Sequence, residues 1–217
     1  MRFIKKSKEP RSLTEYKKIS NAYYDGYSEK NDVREVLLKD QGHLCAYCMK
    51  RITKDQMKIE HWLSQSSLKE NEKKALDFSI MLGVCMGNEG QKDNQTTCDT
   101  HRKDCMLTVN PLDRNLIQQI KYKSNTGEIY SDRADIQKDL NEILNLNYNE
   151  APSYLCRNRL AVLDACKKRM MDEHQSGEWT QSFLEHMLSI YQNADNKGKY
   201  KEYSGIVIWY LQDRLKR

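Results

Sequence analysis

The chain has 217 residues, of which 31% are charged, and a formal net charge of +5. This length fits one large domain or two small ones, and three prolines with nine glycines exclude a collagen-like or low-complexity class. No apolar run is long enough to span a bilayer, and no apolar signal segment follows the basic start, so we expect a cytoplasmic location.

Residues 1–30 form a basic lead-in that we predict to be irregular. Residues 1–18 carry seven Lys or Arg and two Glu, which is compatible with phosphate contacts. Aromatic rings among lysines can stack on bases, but packing onto the protein body is the favoured interpretation for Tyr16, Tyr23, Tyr24 and Tyr27. An amphipathic helix should follow over residues 31–41, with Gly42 as its C-terminal stop.

Four cysteines are predicted to hold a structural zinc ion: Cys45, Cys48, Cys85 and Cys98. Thiolates suit Zn²⁺, and a closed four-sulfur set leaves no position for water. An odd total of seven cysteines favours metal over disulfides, and the missing βαβ context disfavours a thioredoxin-like redox pair. Two weaker alternatives replace Cys85 with Cys105 or use His101 as a ligand.

A second group, at Glu60, His61, Asp99 and Arg102, is predicted to be catalytic. Phosphodiester hydrolysis needs an activated water and charge neutralisation, which a histidine and a divalent ion such as Mg²⁺ or Mn²⁺ can supply. Glu60 and His61 are adjacent, so both reach one site only if the strand end twists. Asp99 should lie at a helix N-terminus near the same metal, and Arg102 or Lys103 could contact phosphate.

The segments around these residues give weaker signals. Residues 64–74 and 86–97 read as polar loops, and residues 76–82 should pack beside the first cysteine pair. A β-hairpin is predicted from residues 116–122 and 128–130.

From residue 132 onward the apolar period becomes helical. Ser153 and Thr180 are candidate N-caps of two helices, and residues 205–215 form the last one. Cys156 and Cys166 are interpreted as buried apolar residues. We divide the chain into a lead-in (1–30), a nuclease module (31–131) and a helical region (132–217). Because its Met and aromatic residues are of types enriched at interfaces, we expect the helical region to dock a partner. The alternative is that these residues only build the region's own core. The fold class is α+β, with a zinc-stapled ββα-metal, treble-clef-like core.

Several segments together carry a resemblance to a known family: CAYCMKRI, MKIEHW, LGVCMGNEG, CDTHRKD and LTVNPLD. They resemble the PtuB-type HNH nucleases of Septu antiphage systems, including those attached to retrons. The resemblance implies that Glu60 and Asp99 bind the catalytic metal and that His61 is the general base. Ile80 stands where the family has an asparagine, for which Asn88 is a candidate replacement.

The resemblance also implies partners and leaves two functions open. The family works with a PtuA-like ATPase and, in the retron versions, with a reverse transcriptase and its DNA–RNA product. The first interpretation is a metal-dependent HNH endonuclease that cleaves DNA or RNA as a defence effector. The alternative is a zinc-stabilised nucleic-acid-binding or scaffolding module without turnover.

Overall fold

The structure is a computed structural model that describes residues 1–69, 72–174 and 179–216. It combines helices with two short antiparallel sheets, which confirms the mixed composition that the sequence predicted. The elements are α1 (Arg11–Tyr16), α2 (Lys30–Asp40), β1 (Lys58–His61), α3 (Gln65–Lys69), β2 (Met81–Val84), α4 (Cys98–Arg102), α5 (Arg114–Ile117), β3 (Lys121–Tyr122), β4 (Ile129–Tyr130), α6 (Ala134–Lys138), α7 (Leu155–Glu173), α8 (Gln181–Gln192) and α9 (Ser204–Arg214). None of the helices in these ranges is both long and apolar enough to cross a bilayer.

The lead-in packs against the rest of the chain instead of remaining irregular. It contains α1, and the amide of Ile4 donates to the carbonyl of Pro111 at 2.8 Å. Tyr27 is 2% exposed whereas Tyr23 is 50% exposed. The packing interpretation of the tyrosines is therefore confirmed for Tyr27 and wrong for Tyr23.

Helix α2 begins one residue before its predicted start and buries Val33 and Leu37. It ends where Gly42 adopts a φ of +56°, a conformation that favours glycine. A Cβ atom on Gly42 would lie 2.1 Å from the Tyr200 ring. The predicted stop is confirmed, and its tertiary contact adds a second reason for glycine.

Strands β1 and β2 pair antiparallel from Lys58 opposite Val84 to His61 opposite Met81. Gly83 of β2 makes three hydrogen bonds with residues outside the sheet. Its carbonyl accepts from the Ala46 amide at 3.0 Å and from the Gln41 side chain at 2.7 Å, and its amide donates to Gln41 at 2.7 Å. These bonds place the strand pair beside the first cysteine pair, as predicted for residues 76–82.

One local prediction is wrong, and the predicted hairpin is confirmed with a shorter first strand. Residues 64–74 were expected to form a loop, but they contain α3 and the start of a 3₁₀ turn at Glu72–Leu76. The hairpin keeps only β3 and β4, two residues each, because its predicted first strand begins with α5 instead. The Asp113 carboxylate starts that helix by accepting from the Asn115 amide at 2.8 Å.

The helical region follows its apolar period. The Thr180 hydroxyl accepts from the Phe183 amide at 3.2 Å, so this N-cap is confirmed. The Ser153 N-cap is wrong, because α7 begins after Tyr154 in a left-handed conformation and Ser153 donates to Asn88 at 2.6 Å. Cys156 and Cys166 are buried, as predicted.

The helical region packs directly onto the first half of the chain. Arg51 donates from its guanidinium to the Tyr200 carbonyl at 2.5 Å and from its amide to Glu202 at 2.6 Å. The Tyr122 and Trp209 rings lie 6.3 Å apart. The predicted division after residue 131 stays a prediction, and these contacts cross it.

Candidate metal centre and catalytic cavity

Three separate segments bring four cysteine sulfur atoms together. Cys45 and Cys48 lie in the turn after α2, Cys85 follows β2 and Cys98 opens α4. The Sγ–Sγ distances are 3.9 Å from Cys45 to Cys98, and 3.7 Å from Cys85 to both Cys48 and Cys98. The predicted set is therefore confirmed as one buried group able to bind a metal ion.

The geometry of this group fits zinc. Zinc–sulfur bonds of about 2.3 Å in a tetrahedron place the sulfur atoms about 3.8 Å apart. Hydrogen bonding to Cys45 raises the pKa of the Cys48 and Cys98 thiols well above their usual range, whereas at Cys45 burial is outweighed by hydrogen bonds with the other three cysteines, which lower the pKa of its thiol. The sulfurs thus share protons that a bound cation would displace. Neither alternative ligand belongs to this group: Cys105 is exposed, and His101 Nδ1 lies 2.9 Å from the Asp93 carbonyl oxygen.

Glu60 is the third residue of β1 and its side chain faces inward, with 8% of the residue exposed. Its Oε1 atom accepts from the Tyr47 hydroxyl at 3.1 Å and from Arg102. Burial and a hydrogen bond with Asp99 raise the pKa of Glu60 to about 9. The two predicted metal-binding carboxylates are thus in direct contact.

Arg102, the last residue of α4, is 1% exposed and donates only to protein oxygens in its hydrogen bonds. Besides Glu60, it reaches the carbonyls of His61 at 2.9 Å, Trp62 at 2.7 Å and Cys105 at 2.9 Å. These bonds fix the end of β1, where Glu60 and His61 must turn toward one site. The structure places Arg102 behind Glu60 as an orienting group, and its predicted phosphate contact stays a prediction.

The His61 ring has a defined orientation. Its Nε2 atom lies 2.8 Å from the Ala75 carbonyl oxygen, which can only accept, so Nε2 carries the proton and Nδ1 is left as an acceptor. The ring packs edge-on against Tyr24, with centroids 4.6 Å apart. Burial lowers the pKa of His61, which keeps the imidazole neutral at pH 7.

Glu60, His61 and Asp99 line one cavity of about 540 Å³. Its other charged lining residues are the five cations Lys30, Arg34, Lys58, Arg102 and Lys103, so cations outnumber the two carboxylates. A cleft with an excess of one sign of charge attracts ligands of the opposite sign. The cavity therefore combines a carboxylate pair and a neutral histidine with a surface that suits phosphate groups.

Three residues that contribute to the site were not predicted from the sequence, and one candidate residue, Asn88, lies outside the cavity lining. Tyr47 stands between the first two cysteines. Lys30 and Arg34 are four residues apart on α2, and this spacing, which places two cations on one helix face, could have identified them as candidates. Asn88 braces its own loop, since its amide donates to the Gln95 carbonyl at 2.7 Å and its oxygen accepts from Ser153. Asn88 is not among the residues found to line the cavity.

Comparison with known proteins gives one partial likeness. Over 89 residues, or 41% of this chain, the sequence is 30% identical to a protein of Vibrio cholerae serotype O1 biovar El Tor named "Retron Vc95 putative HNH endonuclease". The match spans 42% of that protein, so it covers less than half of either chain. No protein-family model matches.

Proposed function

We propose that this chain is a metal-dependent HNH-type endonuclease that hydrolyses phosphodiester bonds in DNA or RNA. The observation that carries the proposal is one cationic cavity in which His61 adjoins the Glu60–Asp99 carboxylate pair. The cavity lies beside the four-cysteine group, since Asp99 directly follows Cys98. The partial likeness to a retron HNH endonuclease supports the same assignment.

The carboxylate pair fits a hard divalent cation. Mg²⁺ and Mn²⁺ prefer oxygen ligands, and Mg²⁺ is commonly bound through one or two carboxylates with water in its remaining positions. Glu60 and Asp99 would hold this ion, and a bound ion would neutralise charge on the phosphate and the leaving oxygen. The four cysteines would hold a separate, structural zinc ion.

The remaining chemistry belongs to the chain's own residues. His61 accepts a proton from the attacking water at Nδ1, the nitrogen that the Ala75 bond leaves free. The bond at Nε2 prevents the ring from turning away and supports the positive charge that forms on it. Tyr47 and Arg102 keep Glu60 directed at the cavity through their bonds to Oε1.

We further propose that the nuclease is the effector of an antiphage system, controlled by a PtuA-like ATPase. In a retron setting the partners would include a reverse transcriptase and its DNA–RNA product. The segment resemblance and the name of the relative support this assignment. Co-purification of the full chain with the ATPase encoded beside its gene tests it, and absence of a complex would contradict it.

The nuclease assignment is tested by incubating the chain with plasmid DNA and with total tRNA in Mg²⁺ or Mn²⁺. We expect His61→Ala to lower the cleavage rate by roughly 10²- to 10⁴-fold, the usual contribution of a general base. The variant should keep one zinc per chain and the parent's melting temperature. The matched control is His186→Ala, which removes an exposed histidine of α8.

Two outcomes would contradict the assignment. If His61→Ala cuts as fast as the parent, the base lies elsewhere. If the parent binds nucleic acid but cuts neither substrate with either metal, the chain is a zinc-stabilised binding module instead.

A further inference from the structure

Two cations of α2, Lys30 and Arg34, line the same cavity as the carboxylate pair. Lys30 and Arg34 are four residues apart and therefore lie on one face of the helix. Glu60, Asp99 and Lys103 reach the same cavity from β1, α4 and the residue after α4. The carboxylate pair thus shares its cavity with cations that come from two separate parts of the chain.

This arrangement is unfavourable for α2 alone. Like charges four residues apart repel each other, and Lys30 opens the helix, where the macrodipole disfavours a cation. The nearest carboxylate oxygen of Asp25 is 3.9 Å from Lys30, and that side chain is 89% exposed, so solvent screens the pair. An anion between Lys30 and Arg34 would relieve both costs.

Arg34 has unused hydrogen-bonding capacity. Its Nη1 atom donates to the Asn31 side chain at 3.0 Å, but its Nε atom is buried without a hydrogen-bond partner. Within residues 1–69, 72–174 and 179–216, no carboxylate forms an ion pair with it. A buried, unsatisfied donor is costly, and a small shift of the guanidinium toward an anion in the cavity would satisfy it.

We propose that Lys30 and Arg34 form a phosphate-binding pair that holds a backbone phosphate of the nucleic acid next to the one attacked at Glu60 and Asp99. The inference rests on the proposed nuclease function and adds a substrate contact to it. A guanidinium binds phosphate through two parallel hydrogen bonds, and such contacts fix position without reading sequence. We therefore expect the pair to bind DNA without sequence preference.

The test measures binding of a fluorescein-labelled 20-base-pair DNA duplex across a salt titration, with Mg²⁺ and in the uncleaving His61→Ala background. Arg34→Met should weaken binding about ten-fold, the effect of one lost charge-assisted hydrogen bond. It should also reduce the slope of log affinity against log salt by about 0.9, because one phosphate contact is gone. The matched control is Lys39→Met, an exposed lysine of the same helix outside the cavity lining, which should leave the slope unchanged.

Arg34→Lys should restore the slope of log affinity against log salt but not the full affinity. Lysine has the same charge but lacks the planar guanidinium that donates two parallel hydrogen bonds. An unchanged slope in Arg34→Met would overturn the proposal. If Arg34→Met fails to fold, judged by zinc content and melting temperature, Lys30→Met carries the same test with the same expected slope.

The outcomes separate this inference from the nuclease assignment. In the cleaving chain, Arg34→Met should raise KM more than it lowers kcat, because the pair acts in binding. If the parent cuts nothing while Arg34→Met still lowers the slope, the nuclease assignment fails and the phosphate-binding pair stands. If the parent cuts and Arg34→Met changes neither slope nor KM, only the pair is refuted.

Discussion

The metal-and-cavity region and the helical region are stabilised in different ways. The first relies on strands of four residues and a five-residue helix, α4. The second is built on helices of 19, 12 and 11 residues. A short element can bury only a few side chains of its own, so a bound ion and buried polar bonds help to fix its geometry, whereas long helices are fixed by packing. Three of the residues that would do chemistry, Glu60, His61 and Asp99, lie on these short elements.

A buried arginine also has a different role in each of the two regions. Arg102, which lines the cavity, forms an ion pair with Glu60 in addition to its bonds to backbone carbonyls. Arg159 of α7 is also buried, and its bonds to the main chain are to the carbonyls of Gly127 at 2.6 Å and Leu146 at 2.8 Å. One guanidinium orients a candidate metal ligand, and the other joins the β3–β4 turn to the helix.

The largest expected effect comes from removing the metal centre. Cys45→Ser should give insoluble or unfolded protein without zinc, because a structural zinc ion contributes about 10–16 kcal/mol and a domain's whole stability is about 5–15 kcal/mol. Soluble yield and zinc content measure this. Cys105→Ser, at an exposed cysteine outside the group, should keep one zinc per chain. A soluble Cys45→Ser protein that melts like the parent would contradict the contrast between the regions.

Truncating a core side chain in the helical region should destabilise the chain less than loss of the zinc and should leave zinc binding intact. Leu163 of α7 is fully buried, so Leu163→Ala should lower the free energy of unfolding by about 2–5 kcal/mol. Urea unfolding with zinc measures this, against the exposed control Lys168→Ala, which should change it by at most about 0.5 kcal/mol. Zinc content below one per chain in folded Leu163→Ala would show that the two regions do not separate.

A smaller effect should appear in the pH dependence of the cavity. The pKa of Glu60 is about 9 in the folded chain and 4.5 ordinarily, so the folded state keeps a proton that the unfolded state releases. Stability without Mg²⁺ should therefore fall as pH rises from about 4.5 toward 9. A cation replaces that proton, so the rise in melting temperature on adding Mg²⁺ should grow with pH in this window. In Glu60→Gln the effect of Mg²⁺ on the melting temperature should no longer increase with pH. An equal effect of Mg²⁺ at pH 6 and pH 8.5 in the parent would refute the prediction.

The smallest effect concerns the residue that ends α4. Lys103 has φ +54° and ψ −122°, a conformation that side chains rarely adopt and glycine tolerates. Lys103→Gly should raise the free energy of unfolding by about 1 kcal/mol, since its exposed pair with Asp93 contributes little. Urea unfolding measures the gain, and Lys103→Ala, which keeps the strain, should show none.

The sequence predicted what depends on short-range patterns. The cysteine spacing identified the metal group, and the apolar period located α2, α8 and α9. It could not show that Arg102 would be buried behind Glu60, because that depends on α4 packing against the end of β1. The Ser153 cap failed for a similar reason, since Asn88 competes for the hydroxyl across 65 residues of sequence. Local patterns give residue types, and tertiary contacts decide their roles.

The bonds between Arg51 and the segment near Tyr200 bear on when the site can form. These partners are separated by 149 residues. At about 5–20 residues per second, a ribosome needs roughly seven to thirty seconds to make that interval. We expect the cysteine turn to remain incompletely packed throughout this time, so the nascent chain should not cleave nucleic acid. Under the proposed nuclease function, this delay would protect the message from which the chain is translated.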